Sequence, residues 1–148
     1  MPPFHIYCAL AVMAPSQAEF PASREADMPR RQILIVDDDL SLLDALQRAL
    51  SDDPRLEVTA CSTFDDARRR LREQRFDVMI ADVRLGAFNG LQLVVLARDM
   101  NHATQVIVFS GYDDPVLRAE AEHLGAVYLV KPVLAGTLLN LIHAKEHT

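Results

Sequence analysis

An α/β domain, with a parallel sheet covered by helices on both faces, is predicted by three features of this sequence. Short apolar runs rich in β-branched residues recur at 33–36, 78–81, 106–109 and 127–130. Segments with helical spacing of apolar residues lie between them, and the connections are short. Each run also ends abruptly in polar residues: Asp37-Asp38-Asp39, Asp82, Ser110-Gly111 and Lys131-Pro132. Open parallel sheets place their ligand sites at the carboxyl ends of the strands, so these residues are the candidate site. Adjacent carboxylates repel one another, and the expected compensator is a divalent cation.

The elements follow in order from residue 28. Residues 33–36 form the first strand, and Leu42, Leu43, Leu46, Ala49 and Leu50 mark a helix that Ser51-Asp52-Asp53-Pro54 stops. The second strand is 57–61. Thr63 with Asp66 makes a capping-box-like start to a helix carrying Ala67 and Leu71 and ending near Gln74. The third strand is 76–81, and a loop from Asp82 to Asn89 leads through Gly90 to a helix with Leu91, Val94, Val95 and Met100. The fourth strand is 105–109. Asp113 or Asp114 caps the next helix, with Pro115 in its first turn and Gly125 at its end. A fifth strand at 126–130 and a last helix at 133–145 complete five βα units, whose crossovers are right-handed.

Composition sets the class of protein. The 148 residues are enough for one domain with its own core. A net charge of −6 argues against a nucleic-acid surface, which carries a basic excess. Cys8 and Cys61 are far apart and fit neither a disulfide framework nor a metal-ligand spacing. No apolar stretch is long enough to span a membrane, and a cytoplasmic location is expected. Residues 1–29 differ from the rest and show no sustained period. The apolar block 6–14 with Ala18 after it resembles a weak secretory signal, but no Lys or Arg precedes it. The expectation is a flexible leader or an over-extended start, with the domain over 30–146.

The ordered set Asp37-Asp38, Asp82, Ser110 and Lys131-Pro132, each at the end of its own strand, resembles the receiver domain of two-component response regulators, in particular the single-domain chemotaxis type. The resemblance covers about residues 31–145. It implies a flavodoxin-like, doubly wound five-stranded sheet of order 2-1-3-4-5. It further implies a phosphoryl group accepted from a histidine kinase or histidine phosphotransfer protein, and a cis Lys131-Pro132 peptide.

The chemistry suits these residue types. A carboxylate attacking phosphorus needs its own charge and that of the phosphoryl oxygens neutralised, which a hard dication held by oxygen ligands achieves. Asp82, alone at the end of its strand, is the expected nucleophile and phosphoacceptor. Asp37 and Asp38 are the expected ligands of Mg²⁺, with Mn²⁺ as the alternative, together with Asp82. By resemblance, the backbone carbonyl of Arg84 completes the protein's ligands. Asp39 reads as the cap of the first helix. Thirteen of the fifteen basic residues are Arg, so the rare Lys131 at a strand end stands out as a point charge for a phosphoryl oxygen. Ser110 offers a hydroxyl donor. In the family this hydroxyl moves toward the phosphoryl group and an aromatic of the fifth strand fills its space; Tyr128 stands at the matching position, although an ordinary strand tyrosine has the same spacing.

Two departures from the family pattern carry expectations. Gly86 stands where receivers often have proline, which predicts a looser loop after Asp82. Arg84 and Tyr112 are bulky and flank the path of an attacking water, which predicts a long-lived phosphoryl state. The last helix, with Leu134, Leu138, Leu139, Leu141 and Ile142, is apolar over more than one face. Either the fourth-helix, fifth-strand and fifth-helix face forms a homodimer or binds a target, or this helix is covered by the leader or a missing domain. A His143–His147 metal pair is set aside because it makes only one side of a site. The arginine cluster at 68–75 reads as a solvated helix face, and no phosphate-cradling glycine loop is present. Arg84 also occupies the position where an aspartyl-phosphate hydrolase needs a second carboxylate. The remaining alternative is a pseudo-receiver, a binding module that is never phosphorylated.

Overall fold

A computed structural model describes residues 28–146. Apart from Met28 and Pro29, the expected leader lies outside the described residues, as does His147. Five parallel strands form the sheet: β1 (Arg31–Val36), β2 (Leu56–Cys61), β3 (Val78–Asp82), β6 (Gln105–Ser110) and β7 (Val127–Val130), in the order β2-β1-β3-β6-β7. This is the 2-1-3-4-5 order of the five-stranded reading. The short strands β4 (Arg84–Leu85) and β5 (Phe88–Asn89) pair as a separate antiparallel hairpin. The helices are α1 (Leu40–Ser51), α2 (Phe64–Glu73), α3 (Leu91–Met100), α4 (Pro115–His123) and α5 (Ala135–Glu146).

The two-residue period of the strands decides which helix covers which face. Leu34, Val36, Met79, Ala81, Val106 and Val108 point into a core shared with Ala67 and Leu71 of α2, Leu91 and Val94 of α3, and Ala121 of α4. The alternate residues Ile33, Ile35, Val78, Ile80, Ile107 and Phe109 face Leu43, Leu46 and Leu50 of α1 and Leu138 and Ile142 of α5. Both faces of β1, β3 and β6 are therefore buried, which is why these strands read as continuous apolar runs and not as alternating ones.

Side-chain caps start α1, α2 and α4. Asp39 accepts from Ser41 N and Leu42 N, Thr63 from Asp66 N, and Asp114, the cap of α4, from Val116 N and Leu117 N. Gly125 ends α4 with φ of 79°, a left-handed conformation that suits a residue without Cβ.

Three expectations need correction. The third strand starts at Val78 rather than residue 76, because Asp77 leaves the β1–β3 ladder to pair with Gln32: its Oδ2 accepts from Gln32 N at 2.7 Å and its N–H donates to Gln32 O at 2.8 Å. The last helix starts at Ala135 rather than residue 133, since 131–134 turn the chain off the sheet. Its apolar residues are also largely taken up at home: Leu138 and Ile142 are fully buried and Leu139 and Leu141 pack beside them, leaving Leu134, just ahead of the helix, 71% exposed. Among the described residues, no helix is long and apolar enough to cross a membrane.

Polar ties fix the far end of α5. Arg31 donates to Ile142 O and Gln105 to Leu141 O, while His143 Nε2 lies 2.8 Å from Asp53 Oδ2. Arg55 donates to the Asp53 carboxylate through Nε and Nη2 at 3.0 and 2.9 Å. Those bonds, Arg55 first and His143 after it, hold the Asp53 carboxyl well below the ordinary carboxylate range. A depressed carboxyl stabilises the fold above its unfolded value, and the contribution is lost as pH falls through the folded value. Asp53→Asn is expected to destabilise the domain by about 1–2 kcal/mol at neutral pH. In chemical denaturation the gap from wild type should close progressively below about pH 4, where the unfolded carboxyl titrates.

Candidate phosphoacceptor site

Strand register assembles the site. Val36 lies opposite Ala81, so Asp37 and Asp82 leave adjacent strands at the same level. Asp82 lies opposite Phe109 and Ser110 opposite Val130, which brings Ser110 and Lys131 to the same edge. Backbone bonds continue the ladder past the strand ends, from Asp37 N to Cys61 O, Val83 N to Phe109 O and Lys131 N to Ser110 O. The polar residues are thus held by the sheet itself.

Lys131 Nζ sits between two carboxylates, 2.7 Å from Asp82 Oδ2 and 3.1 Å from Asp37 Oδ2. Asp37 is fully buried and Asp82 is 6% exposed, whereas Asp38 faces solvent. Each of the three aspartates offers an oxygen within 4.8 Å of the others. Backbone donors hold three further oxygens: Asp39 N–H donates to Asp37 Oδ1 at 2.8 Å, Arg84 N–H to Asp82 Oδ1 at 2.9 Å, and Gly86 N–H to Asp38 Oδ2 at 3.3 Å. Burial raises the Asp37 carboxyl above its ordinary value, opposed by the Asp39 N–H and by Lys131. Burial works to lower the Lys131 ammonium, but its hydrogen bond to Asp82 and the adjacent Asp37 carboxylate overcome it and the net shift is upward.

The structure brings Asp37, Asp38, Asp82 and Lys131 together and sets Ser110 at the same strand edge, whereas Tyr128 bonds to Tyr112 and not to these groups. Ser110 is 1% exposed, and its Oγ is buried without a hydrogen-bond partner. The Lys131-Pro132 peptide is cis. Tyr128 is buried and its hydroxyl donates to Tyr112 O at 3.1 Å. The Arg84 guanidinium lies 4.7 Å from the centre of the Tyr112 ring.

Gly86 explains the departure from proline. Its φ is +60° and its N–H is bound to Asp38, and proline has neither that backbone angle nor that donor. The loop after Asp82 is correspondingly tied down: it forms the β4–β5 hairpin, and Phe88 stacks on Phe64 of α2 with ring centres 4.7 Å apart. The expected looseness is therefore not what the backbone pairing gives.

Gly90 is a site residue that the sequence reading passed over as a helix start. A Cβ there would meet Asp82 O at 2.0 Å, and its own N–H donates to Val83 O. A glycine opening a helix without a side-chain cap was the available signal. Asn89 Oδ1 supplies the missing cap by accepting from Leu91 N.

The donor set fits a hard dication: three carboxylates face one ammonium, and the Asp37 Oδ2 is buried and out of hydrogen-bond alignment with Lys131.

Comparison with known proteins gives the class. The response regulator receiver domain matches residues 33–143, and the chain belongs to that family. It is 33% identical over 105 residues to the transcriptional regulatory protein ZraR of Escherichia coli (strain K12), covering 68% of this chain and 23% of that protein. It is 33% identical over 119 residues to the acid tolerance regulatory protein ActR of Sinorhizobium medicae, covering 78% of this chain and 60% of that one. The chain thus spans only part of these relatives. A CheY-like receiver domain protein from Methanospirillum hungatei JF-1 superimposes with a TM-score of 0.74 at 27% identity, over 78% of this chain and 93% of that one. The chemotaxis response regulator CheY4 of Vibrio cholerae gives 0.69 at 27% identity, over 78% and 98%.

Three expected outcomes follow from the geometry. The raised Asp37 carboxyl means that its contribution to stability is greatest below the unfolded value and is lost as pH rises through the folded one. Metal-free Asp37→Asn should accordingly melt about 3–5 °C above wild type at pH 7, with the gain vanishing in acid, and added Mg²⁺ should raise the melting temperature of wild type only. Gly90→Ala should destabilise the domain by about 1–3 kcal/mol in urea denaturation and weaken Mn²⁺ binding, because Asp82 must move. Gly86→Ala, with nothing within 4 Å of its new Cβ, should cost only about 1 kcal/mol of backbone strain.

Proposed function

We propose that this receiver domain accepts a phosphoryl group on Asp82 from a histidine kinase or histidine phosphotransfer protein, in the cytoplasm, and passes the change to a partner. The observation that carries this reading is Lys131 Nζ held within 3.1 Å of two buried carboxylates while a third stands close by, which leaves negative charge at the site uncompensated. Asp37, Asp38 and Asp82, with the Arg84 carbonyl, would hold Mg²⁺ or Mn²⁺. When bound, the ion neutralises charge as the phosphoryl oxygens approach.

An Asp82 oxygen attacks phosphorus in line with the phosphohistidine nitrogen. The new P–O bond forms as the P–N bond breaks, and the departing imidazole takes a proton from solvent. Lys131, relinquishing part of its hold on Asp82, is placed to pair with a phosphoryl oxygen. The unpartnered Ser110 hydroxyl supports its role as a donor to another, and Tyr128 is the aromatic that would respond to its movement.

The output surface in this reading is the face made by α4, β7 and α5, through a homodimer or a target. Val116 and Leu134 are more than 70% exposed there. The Arg84–Tyr112 stack supports a phosphoryl state that water reaches slowly.

A radiolabelled small-molecule phosphodonor such as acetyl phosphate should label wild type only when Mg²⁺ is present, and Asp82→Asn should take up none. The label should outlast that on a rapidly cycling chemotaxis regulator assayed beside it. Absence of label on wild type, with the control labelled, would favour the unphosphorylated binding module.

A further inference from the structure

Two tyrosine rings near the site each lie against an arginine, and hydrogen bonds join the two pairs into one chain of contacts. Arg84 donates its backbone N–H to Asp82 Oδ1 and lays its guanidinium over the Tyr112 ring. The Tyr112 carbonyl accepts from the Tyr128 hydroxyl at 3.1 Å, which also lies 3.4 Å from Asp114 N. The Tyr128 ring in turn lies 4.7 Å from the Arg118 guanidinium of α4. Arg118 is oriented by Asp113, whose Oδ1 accepts from Nε at 3.0 Å and Nη2 at 2.9 Å, and its Nη1 reaches Tyr128 O at 3.5 Å.

We propose that Arg118 is a positioning residue for the phosphoacceptor site, acting through Tyr128 and Tyr112 to hold Arg84 across the approach to Asp82. The inference rests on Asp82 being the phosphoacceptor and names what regulates the lifetime of its phosphoryl group.

The physical basis is that the outer pair cannot hold itself. Arg84 is exposed and the Tyr112 ring is 52% exposed, so their stacking is a weak attraction between two mobile side chains. What limits Tyr112 is its backbone, and the side-chain donor to its carbonyl is Tyr128. Tyr128 is 5% exposed, and a buried hydroxyl keeps its partner because losing it costs desolvation. Arg118, with a guanidinium fixed by two bonds to one carboxylate oxygen, closes the ring's exposed side. Removing it frees Tyr128 to turn outward, which releases the Tyr112 carbonyl and with it the Arg84 cover. Arg118 is accessible on α4, so the same contact lets an event on that helix alter access to Asp82, 36 residues away in sequence.

The test uses the full chain with Arg118→Ala, Arg118→Lys, Arg84→Ala and the Arg84→Ala/Arg118→Ala double variant, each labelled with acetyl phosphate and chased. Arg118→Ala should lose label about two- to fivefold faster than wild type, Arg118→Lys should recover most of the difference, and the double variant should decay no faster than Arg84→Ala alone. Equal decay of Arg118→Ala and wild type, or fully multiplicative effects in the double variant, would overturn the proposal. A second readout needs no phosphorylation: the Arg84 Nε–H resonance, shifted by the Tyr112 ring in wild type, should move toward its free-arginine position in Arg118→Ala. An unmoved resonance would sink the positioning role, whereas failure of wild type to take label would sink the phosphoacceptor reading alone.

Discussion

Asp37 and Asp82 are carried into the protein side by side, and a single ammonium, Lys131, lies between them. Two like charges a few ångströms apart and shielded from water repel strongly, so the arrangement persists only because opposite charge and oriented N–H groups surround it. Much of the surrounding structure serves that need. Parallel register sets β1 and β3 level with each other, β7 brings Lys131 to the same edge, and Asp39, Arg84 and Gly86 turn their backbone N–H groups toward the carboxylates. The same excess of negative charge is what a dication would offset in the function proposed above.

Main-chain geometry does as much at this site as side-chain identity. Gly90 is small because the Asp82 carbonyl occupies the space a Cβ would need, and Gly86 is left-handed because its N–H must reach Asp38. Neither residue has a side chain to take part in the chemistry, yet each limits where a carboxylate can sit. The hairpin, with Gly86 in its turn and Gly90 just after it, is pinned by the Phe64–Phe88 stack and joins the loop after Asp82 to α2. A second line of contact runs the other way, from Arg84 through the two tyrosines to α4. Asp82 is therefore linked through contacts to helices on the α2–α4 side of the sheet, while α5 is tied down on the opposite side by Arg31, Gln105 and His143.

The parts legible in the sequence were those written in local pattern. Buried strands on both faces leave unbroken apolar runs, and a charged or hydroxylic residue ending each run marks its carboxyl end; Asp37, Asp38, Asp82, Ser110 and Lys131 were found this way. Helix starts at Thr63 and Pro115 were legible because capping chemistry is confined to a few neighbouring residues. The β4–β5 hairpin was not, since two-residue strands carry no period. The clash of Gly90 with Asp82 and the contacts of Arg118 with Asp113 and Tyr128 join residues close in the chain but at separations that follow no strand or helix period, and Asp53–His143 spans 90 positions.

Sequence alone determined the α/β class, the order of the βα units and the inventory of acidic, hydroxyl and ammonium groups at the strand ends. Apolar periodicity and composition are properties of neighbouring residues, and a chain carries them whether folded or not. Strand order needed the family resemblance, because adjacency in a sheet is not encoded in spacing. Only the tertiary structure decided that three carboxylates share one edge with Lys131, that Gly90 must lack a side chain and that Arg118 reaches toward Asp82 through two tyrosines. Those relations depend on distances between segments, which come into being when register and packing bring the strands and helices together.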